Sequence, residues 1–190
     1  LIQPDYLPYA FYIEGGGLAV ENALKAAFDW KSRKNIIKGI SPSKNLVIHL
    51  KDCFHGRTGY TMSLTDSPDK RKVQYFPKFD WPKISNPSIR FPENNENVEA
   101  VEKLEQQSIN ELKNIIQKSK NDIACLILEP IQGEGGDNHF RRHYFKQLKQ
   151  LSIENDFLLI YDEVQTGIGI TGEMWAHQYF KPQNSVDKTI

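Results

Sequence analysis

The stretch at residues 157–166, FLLIYDEVQT, places two carboxylates directly behind five consecutive apolar or aromatic residues. A short unbroken apolar run of this length predicts a strand that is buried on both faces, as in a parallel sheet. A carboxylate at the end of such a strand loses part of its hydration and therefore requires a partner. Because ligands bind at the carboxyl ends of the strands in open parallel α/β sheets, Asp162 and Glu163 indicate a functional site.

Two further largely apolar runs predict buried strands of the same sheet, because each is short and followed by polar or turn residues. They lie at residues 46–50 (LVIHL) and 123–128 (IACLIL). Three segments with apolar side chains at helical spacing predict covering helices. These segments are residues 18–34, 95–119 and 140–155. The alternation of strands and helices is typical of an α/β fold with a mostly parallel sheet flanked by helices.

Two other segments carry weaker signals. Residues 9–14 (YAFYIE) are aromatic and β-branched, and they predict a short strand ahead of the first helix. Residues 68–92 are rich in proline, lysine and aromatic side chains but lack periodicity. They predict an ordered, irregular excursion of the kind that is often functional.

Charge and cysteine content exclude several classes of partner. The 24 basic and 24 acidic side chains cancel, which argues against nucleic acid or an anionic membrane as the main partner. No apolar run is long enough to span a bilayer. Cys53 and Cys125 form no disulfide framework, so we expect a reducing, cytoplasmic location. His139 and His143 lie four residues apart but lack an evident third ligand, and no metal site is predicted.

Three consecutive glycines, residues 15–17, stand immediately before the first predicted helix. Free backbone N–H groups at a helix N-terminus attract anions, and the absence of side chains lets a phosphate approach closely. Taken alone, three glycines are more often a plain strand-to-helix turn. The segment lacks the Gly-Lys-Ser/Thr ending of a P-loop.

Two other strands are also followed by chemically active side chains. Phe54 and Arg57 follow the strand at 46–50, where an aromatic ring could face a planar ligand and an arginine could bind a carboxylate. A core phenylalanine and a surface ion pair are equally open interpretations of these two residues. Glu129 and Glu134 follow the strand at 123–128 within a glycine-rich loop, which could instead be a polar turn.

Together these features suit a flat, phosphorylated, nitrogen-containing cofactor, and pyridoxal 5′-phosphate fits them. Gly16 and Gly17 would bind its phosphate, and Phe54 would stack on its ring. Asp162 would pair with the pyridine nitrogen and keep it protonated. Gln165 would donate a hydrogen bond to the ring hydroxyl.

Five segments resemble the class III, fold-type I aminotransferases. They are EGGGLAVENALKAAF, FHGRTGYTMSLT, FPKFDW, EPIQGEGGDNHF and DEVQTGIGITGEMWA. Within that class, the segments around the first helix, FHGRTGYTMSLT and FPKFDWP resemble the members that act on the ε-amino group of L-lysine. The resemblance covers residues 8–180, and it implies that residues 1–190 form part of the pyridoxal phosphate-binding large domain of a homodimer.

The resemblance implies a reaction in lysine catabolism. The ε-amino group of L-lysine would pass to 2-oxoglutarate, giving 2-aminoadipate 6-semialdehyde and glutamate. Arg57 would bind the α-carboxylate of lysine, and Glu134 would act as a gating residue that swings aside for 2-oxoglutarate. The alternative within the class is an aminotransferase acting on ornithine or 4-aminobutyrate.

The family's Schiff-base lysine follows DEVQTG on a later strand, and no residue of this chain matches it. Residues 181–190 (KPQNSVDKTI) lack that apolar strand, and Lys188 stands in the wrong context. The N-terminal segment and the small C-terminal domain of the family are also unmatched. We therefore expect a fragment that is inactive alone, and a catalytically dead remnant is the alternative from a different class.

Overall fold

Four parallel strands form the central sheet of the computed structural model, which describes residues 2–180. Side by side, these strands are β2 (Lys83–Ile84), β1 (Leu46–Leu50), β3 (Ile123–Leu128) and β6 (Leu158–Tyr161). Two short strands, β4 (Ile131–Gln132) and β5 (Asn138–His139), form a separate antiparallel hairpin. The α/β class and all three apolar strands predicted from the sequence are confirmed. The predictions about residues 181–190 and Lys188 lie outside the described residues.

Helices cover both faces of the sheet. Successive residues of a strand point to opposite faces, so Val47 packs with the residues of α1 (Gly16–Ile37). Its neighbour Ile48 packs instead with α3 (Asn95–Ser119) and α4 (Arg142–Asn155). All six residues of β3 are buried, since this strand is enclosed between β1 and β6 and by helices above and below. Burying each large apolar side chain contributes about 1.5–3 kcal/mol, which accounts for the uninterrupted apolar runs.

The helices agree closely with their sequence predictions. Helix α3 has the predicted bounds and begins where the Asn94 side chain accepts a hydrogen bond from the Asn97 N–H. Helix α1 begins two residues earlier than predicted, within the glycine segment, and α4 begins two residues later. A short helix, α2 (Thr61–Leu64), follows the loop after β1. No helix in residues 2–180 is long and apolar enough to cross a membrane.

The prediction of a strand at residues 9–14 is wrong. This segment forms no strand, and the side chains of Tyr9 and Tyr12 are 93% and 90% exposed. An aromatic run becomes a strand only where a neighbouring strand supplies backbone partners, and no strand among residues 2–180 lies beside it.

Strand β2 was missed because it occupies only two residues of the irregular segment 68–92. It pairs with β1, where Lys83 lies opposite His49 and Ile84 lies opposite Leu50. A strand of two residues is too short to show a periodic pattern in the sequence. It is recognised only by its pairing with β1 in the structure.

Candidate active site

The carboxyl ends of β1, β3 and β6 meet at one edge of the sheet, where a cavity of about 80 Å³ opens. The backbone N–H of Asp162 donates to the carbonyl of Leu128 at 2.9 Å, which fixes the carboxylate directly beyond the sheet. All five residues predicted to bind the cofactor line this cavity. They are Gly16, Gly17, Phe54, Asp162 and Gln165.

Asp162 is paired with a histidine that was given no role by the sequence. Its side chain is 4% exposed, and its Oδ2 lies 2.7 Å from Nδ1 of His55, whose side chain is fully buried. The other oxygen, Oδ1, accepts a hydrogen bond from the Val164 N–H at 3.2 Å. Desolvation acts to lower the pKa of His55, but the neighbouring Cys53 and Asp162 outweigh it and raise the pKa well above its usual value. The only signal in the sequence was that both residues follow strands that end at the same edge.

The N-terminus of α1 also lines the cavity, through Gly16 and Gly17. Gly15, at the helix start, has a φ of +82° and offers no side chain to cap the first turn. A Cβ on Gly16 would lie 2.9 Å from Val164 Cγ2, and one on Gly17 would lie 3.2 Å from Thr58 Cγ2. Because the glycines have no side chains, the helix backbone borders the cavity directly and its N–H groups are available to an anion.

Phe54 is held in place through its backbone. Its N–H donates to Oε1 of Glu129 at 2.6 Å, and Glu129 itself is only 3% exposed and lines the same cavity. Burial raises the pKa of Glu129 to about 7, and the charge of Asp162 adds to this, while His55 and the Phe54 N–H oppose it. Glu129 thus joins the end of β3 to the aromatic residue that follows β1.

Arg57 lies outside the cavity that holds Asp162. Its exposed side chain lines a neighbouring cavity of about 720 Å³, and its guanidinium carbon lies 5.9 Å from the centre of the Phe76 ring. Glu21 of α1 anchors the intervening loop, because its Oε1 accepts hydrogen bonds from the Thr58 hydroxyl and the Tyr60 N–H. The two cavities are therefore adjacent along residues 54–58.

Glu134 also lies outside the smaller cavity, in the turn between β4 and β5. Its Oε1 accepts a hydrogen bond from the Ser67 hydroxyl at 2.9 Å and pairs with the ammonium group of Lys72. Its Oε2 is buried and has no hydrogen-bond partner in the part of the chain that the structure describes. Both partners flank or belong to the irregular segment 68–92, so sequence patterns could not connect them with Glu134.

The residues at the sheet edge fit a flat phosphorylated ring. An uncapped helix N-terminus with thin glycine walls suits a phosphate, and a buried carboxylate suits a protonated ring nitrogen. The cavity is smaller than the roughly 300–1,000 Å³ of typical small-ligand sites, so these residues form one wall of a site and not a closed pocket.

Residues 4–187 match the sequence profile of the family described as Aminotransferase class-III. Because the match takes in nearly the whole chain, the chain belongs to the class-III aminotransferases. Enzymes of this family depend on pyridoxal phosphate, which confirms the cofactor predicted from the sequence.

Within the family, the chain is similar to enzymes that act on lysine. It is 51% identical over 173 residues to the L-lysine-epsilon aminotransferase of Mycobacterium tuberculosis, covering 90% of this chain and 38% of that protein. The solved structure of lysine aminotransferase from M. tuberculosis in the internal aldimine form superposes with a TM-score of 0.85 at 49% identity, covering 90% of this chain and 39% of that one. A 4-aminobutyrate aminotransferase of Emericella nidulans is more distant, at 33% identity over 203 residues, covering 98% of this chain and 40% of that protein.

Proposed function

We propose that the full-length protein transfers the ε-amino group of L-lysine to 2-oxoglutarate, giving 2-aminoadipate 6-semialdehyde and glutamate. The observation that carries the proposal is the cavity at the sheet edge, which buried Asp162 and the uncapped N-terminus of α1 both line. The similarity to lysine-epsilon aminotransferases over 90% of the chain supports the choice of amino donor. The chain spans 38% of the length of that relative, so the activity of the whole protein is a proposal.

The residues of the cavity have separate tasks in this proposal. Bound pyridoxal phosphate supplies an electron sink for the carbon that carries the transferred amino group. Asp162 binds the protonated ring nitrogen, since its carboxylate is buried and directed by His55 and the Val164 N–H. Phe54, held by Glu129, covers one face of the ring, and Gln165 binds the ring hydroxyl.

In this proposal the phosphate and the carboxylate of the substrate are bound in two neighbouring cavities. Backbone N–H groups of Gly16 and Gly17 bind the phosphate at the start of α1. Arg57 binds the α-carboxylate of lysine in the neighbouring cavity, where its guanidinium is exposed and backed by Phe76.

Glu134 serves as the gating residue in this proposal, holding one position for the cationic substrate and another for the dianionic one. Its buried Oε2 lacks a partner among residues 2–180, so a further donor can bind there without displacing Lys72 from Oε1.

The proposal also includes an oligomeric state and a cellular compartment. A homodimer follows from the family resemblance, and sedimentation of the full-length protein measures it. A reducing compartment is supported by Cys53 and Cys125, which are both buried and free.

A 4-aminobutyrate-type activity is the second candidate, favoured by the match to the E. nidulans enzyme. The decisive assay measures glutamate formed from 2-oxoglutarate by the full-length protein with lysine, ornithine or 4-aminobutyrate as donor. We expect lysine to give the highest kcat/KM, and a preference for 4-aminobutyrate would reject the lysine proposal. No glutamate from any donor, in a protein that folds, would favour the catalytically dead remnant.

Arg57→Gln tests substrate binding in the same assay. Loss of a charge-assisted hydrogen bond is expected to raise the KM for lysine roughly ten- to a hundredfold. The matched control is Arg90→Gln, because Arg90 is exposed and does not line the cavity that contains Arg57. Equal KM values for the two variants would remove Arg57 from the substrate site.

A further inference from the structure

Glu163, the second carboxylate after the apolar run of β6, has no task in the proposed reaction. It directly follows Asp162, but the two side chains line different cavities. Asp162 lines the cavity at the sheet edge, whereas Glu163 lines a separate cavity of about 760 Å³. The side chain of Glu163 is only 7% exposed. A carboxyl group buried to this extent requires hydrogen-bond partners, and those partners indicate its task.

Both side-chain oxygens of Glu163 bind residues that lie more than ten positions further along the chain. Oε1 accepts a hydrogen bond from the His177 N–H at 2.9 Å and lies 2.6 Å from Nδ1 of the same residue. Oε2 accepts a hydrogen bond from the Ala176 N–H at 2.6 Å. Glu163 therefore fastens the backbone directly after β6 to residues 175–177.

A glycine brings the same two segments into direct contact. A Cβ on Gly167 would lie 2.6 Å from Cζ3 of Trp175 and 2.8 Å from the Glu163 carbonyl oxygen, so a larger residue would force these atoms apart. The Gly167 N–H donates to that carbonyl oxygen at 2.9 Å. Packing and hydrogen bonds thus hold residues 163–167 as one turn against residues 175–177.

Gln165 lies in the middle of this turn and lines the cavity at the sheet edge. Gln165 is exposed, so packing alone does not fix its position. The hydrogen bonds that span it both end on Glu163. Oε2 of Glu163 accepts from the Thr166 hydroxyl at 3.2 Å, and its carbonyl oxygen accepts from the Gly167 N–H. The position of Gln165 therefore depends on Glu163.

We propose that Glu163 is a positioning residue of the cofactor site, because its carboxyl group ties the turn that carries Gln165 to residues 175–177. Val164, which also lines the cavity, has a separate anchor, since its N–H donates to Oδ1 of Asp162. Glu163 acts through Gln165 and not by contact with the cofactor. The inference rests on the proposed hydrogen bond between Gln165 and the ring hydroxyl of pyridoxal phosphate.

Glu163→Gln tests the inference in the full-length protein. The amide keeps the size of the side chain, but its NH2 group replaces an oxygen that accepts from a backbone N–H, so at least one hydrogen bond is lost. We expect the dissociation constant of pyridoxal phosphate to rise about tenfold, as for the loss of one hydrogen bond. Absorbance titration of the cofactor-free protein measures this constant without turnover. The control is Glu173→Gln, because Glu173 is exposed in the same part of the chain, and we expect it to bind the cofactor normally.

A double-mutant cycle separates positioning from a general structural role. If Glu163 acts through Gln165, the affinity that Glu163→Gln loses is already lost in Gln165→Ala. We therefore expect the double variant to bind pyridoxal phosphate within about threefold of Gln165→Ala alone. If the two residues act independently, their losses multiply.

Hydrogen exchange of the cofactor-free protein, followed by mass spectrometry, examines the turn itself. In Glu163→Gln, we expect peptides that cover residues 163–167 and 175–177 to exchange about tenfold faster, while peptides from the buried β3 keep their rate. Thr166→Val is a second variant in case Glu163→Gln fails to fold, because it keeps the side-chain shape and removes only the hydroxyl that donates to Oε2. We expect it to weaken cofactor binding about two- to threefold.

The outcomes separate this inference from the proposed function. Unchanged cofactor affinity in Glu163→Gln or Thr166→Val, losses that multiply in the double variant, or unchanged exchange of residues 163–167 would each overturn the role of Glu163. The same conclusion follows if Glu163→Gln weakens cofactor binding and Gln165→Ala does not. Since no readout here is turnover, a protein with the expected affinities and exchange that forms no glutamate from lysine would reject the lysine aminotransferase proposal alone.

Discussion

Replacing Glu129 by glutamine tests whether the site holds a protonated carboxyl group near neutral pH. Glu129 is 3% exposed, and burial raises its pKa from a usual 4.5 to about 7. The folded chain therefore binds this proton more tightly than the unfolded chain does. The resulting contribution to stability is complete below the unfolded pKa and is lost as the pH rises through the folded pKa.

The size of this effect follows from the two pKa values. A difference of roughly 2.5 pKa units at 1.36 kcal/mol per unit gives about 3 kcal/mol lost across the interval. Glutamine is neutral throughout, and its side-chain oxygen can still accept from the Phe54 N–H. We therefore expect the free energy of unfolding of Glu129→Gln to match that of the unaltered protein at acidic pH and to exceed it at alkaline pH.

Urea unfolding of the cofactor-free full-length protein between about pH 5 and pH 8 measures this difference in the free energy of unfolding. The control is Glu99→Gln, since Glu99 is exposed on α3 and its replacement removes the same charge from the surface. If the stability difference between Glu129→Gln and the unaltered protein does not change with pH, or grows toward acidic pH, the reasoning is refuted.

Two other substitutions probe the walls of the site. Gly16→Ala brings a methyl group within 2.9 Å of Val164 Cγ2, and we expect it to weaken pyridoxal phosphate binding about tenfold. Absorbance titration measures this affinity. The control is Gly59→Ala, whose added Cβ meets only one atom at 3.5 Å, so we expect it to bind the cofactor normally. Lys72→Gln frees Oε1 of Glu134 from its cation, and because this pair is partly exposed we expect a change in the KM for 2-oxoglutarate of only about two- to fivefold. An unchanged cofactor affinity in the first case, or an unchanged KM in the second, would contradict these roles.

The strongest agreement between sequence and structure lies in β1, β3, β6 and α3. Each strand is a short, buried and largely apolar run, and the helix carries a long amphipathic repeat, so the pattern of burial predicts their type. The same logic placed Phe54 and Asp162 at one edge, because parallel strands share the direction of their carboxyl ends. Residues 9–14 show where this logic fails, since an aromatic run without a neighbouring strand stays exposed.

The sequence by itself determined the sheet, its covering helices and the edge at which a site could form. Only the tertiary structure decided which side chains meet there: His55 with Asp162 across 107 residues, and the Phe54 N–H with Glu129 across 75. Periodicity reports which residues are buried, because burial repeats with the geometry of each element. Hydrogen bonds and pKa shifts depend on distances of a few ångströms between distant segments, and these are fixed only when the elements pack together.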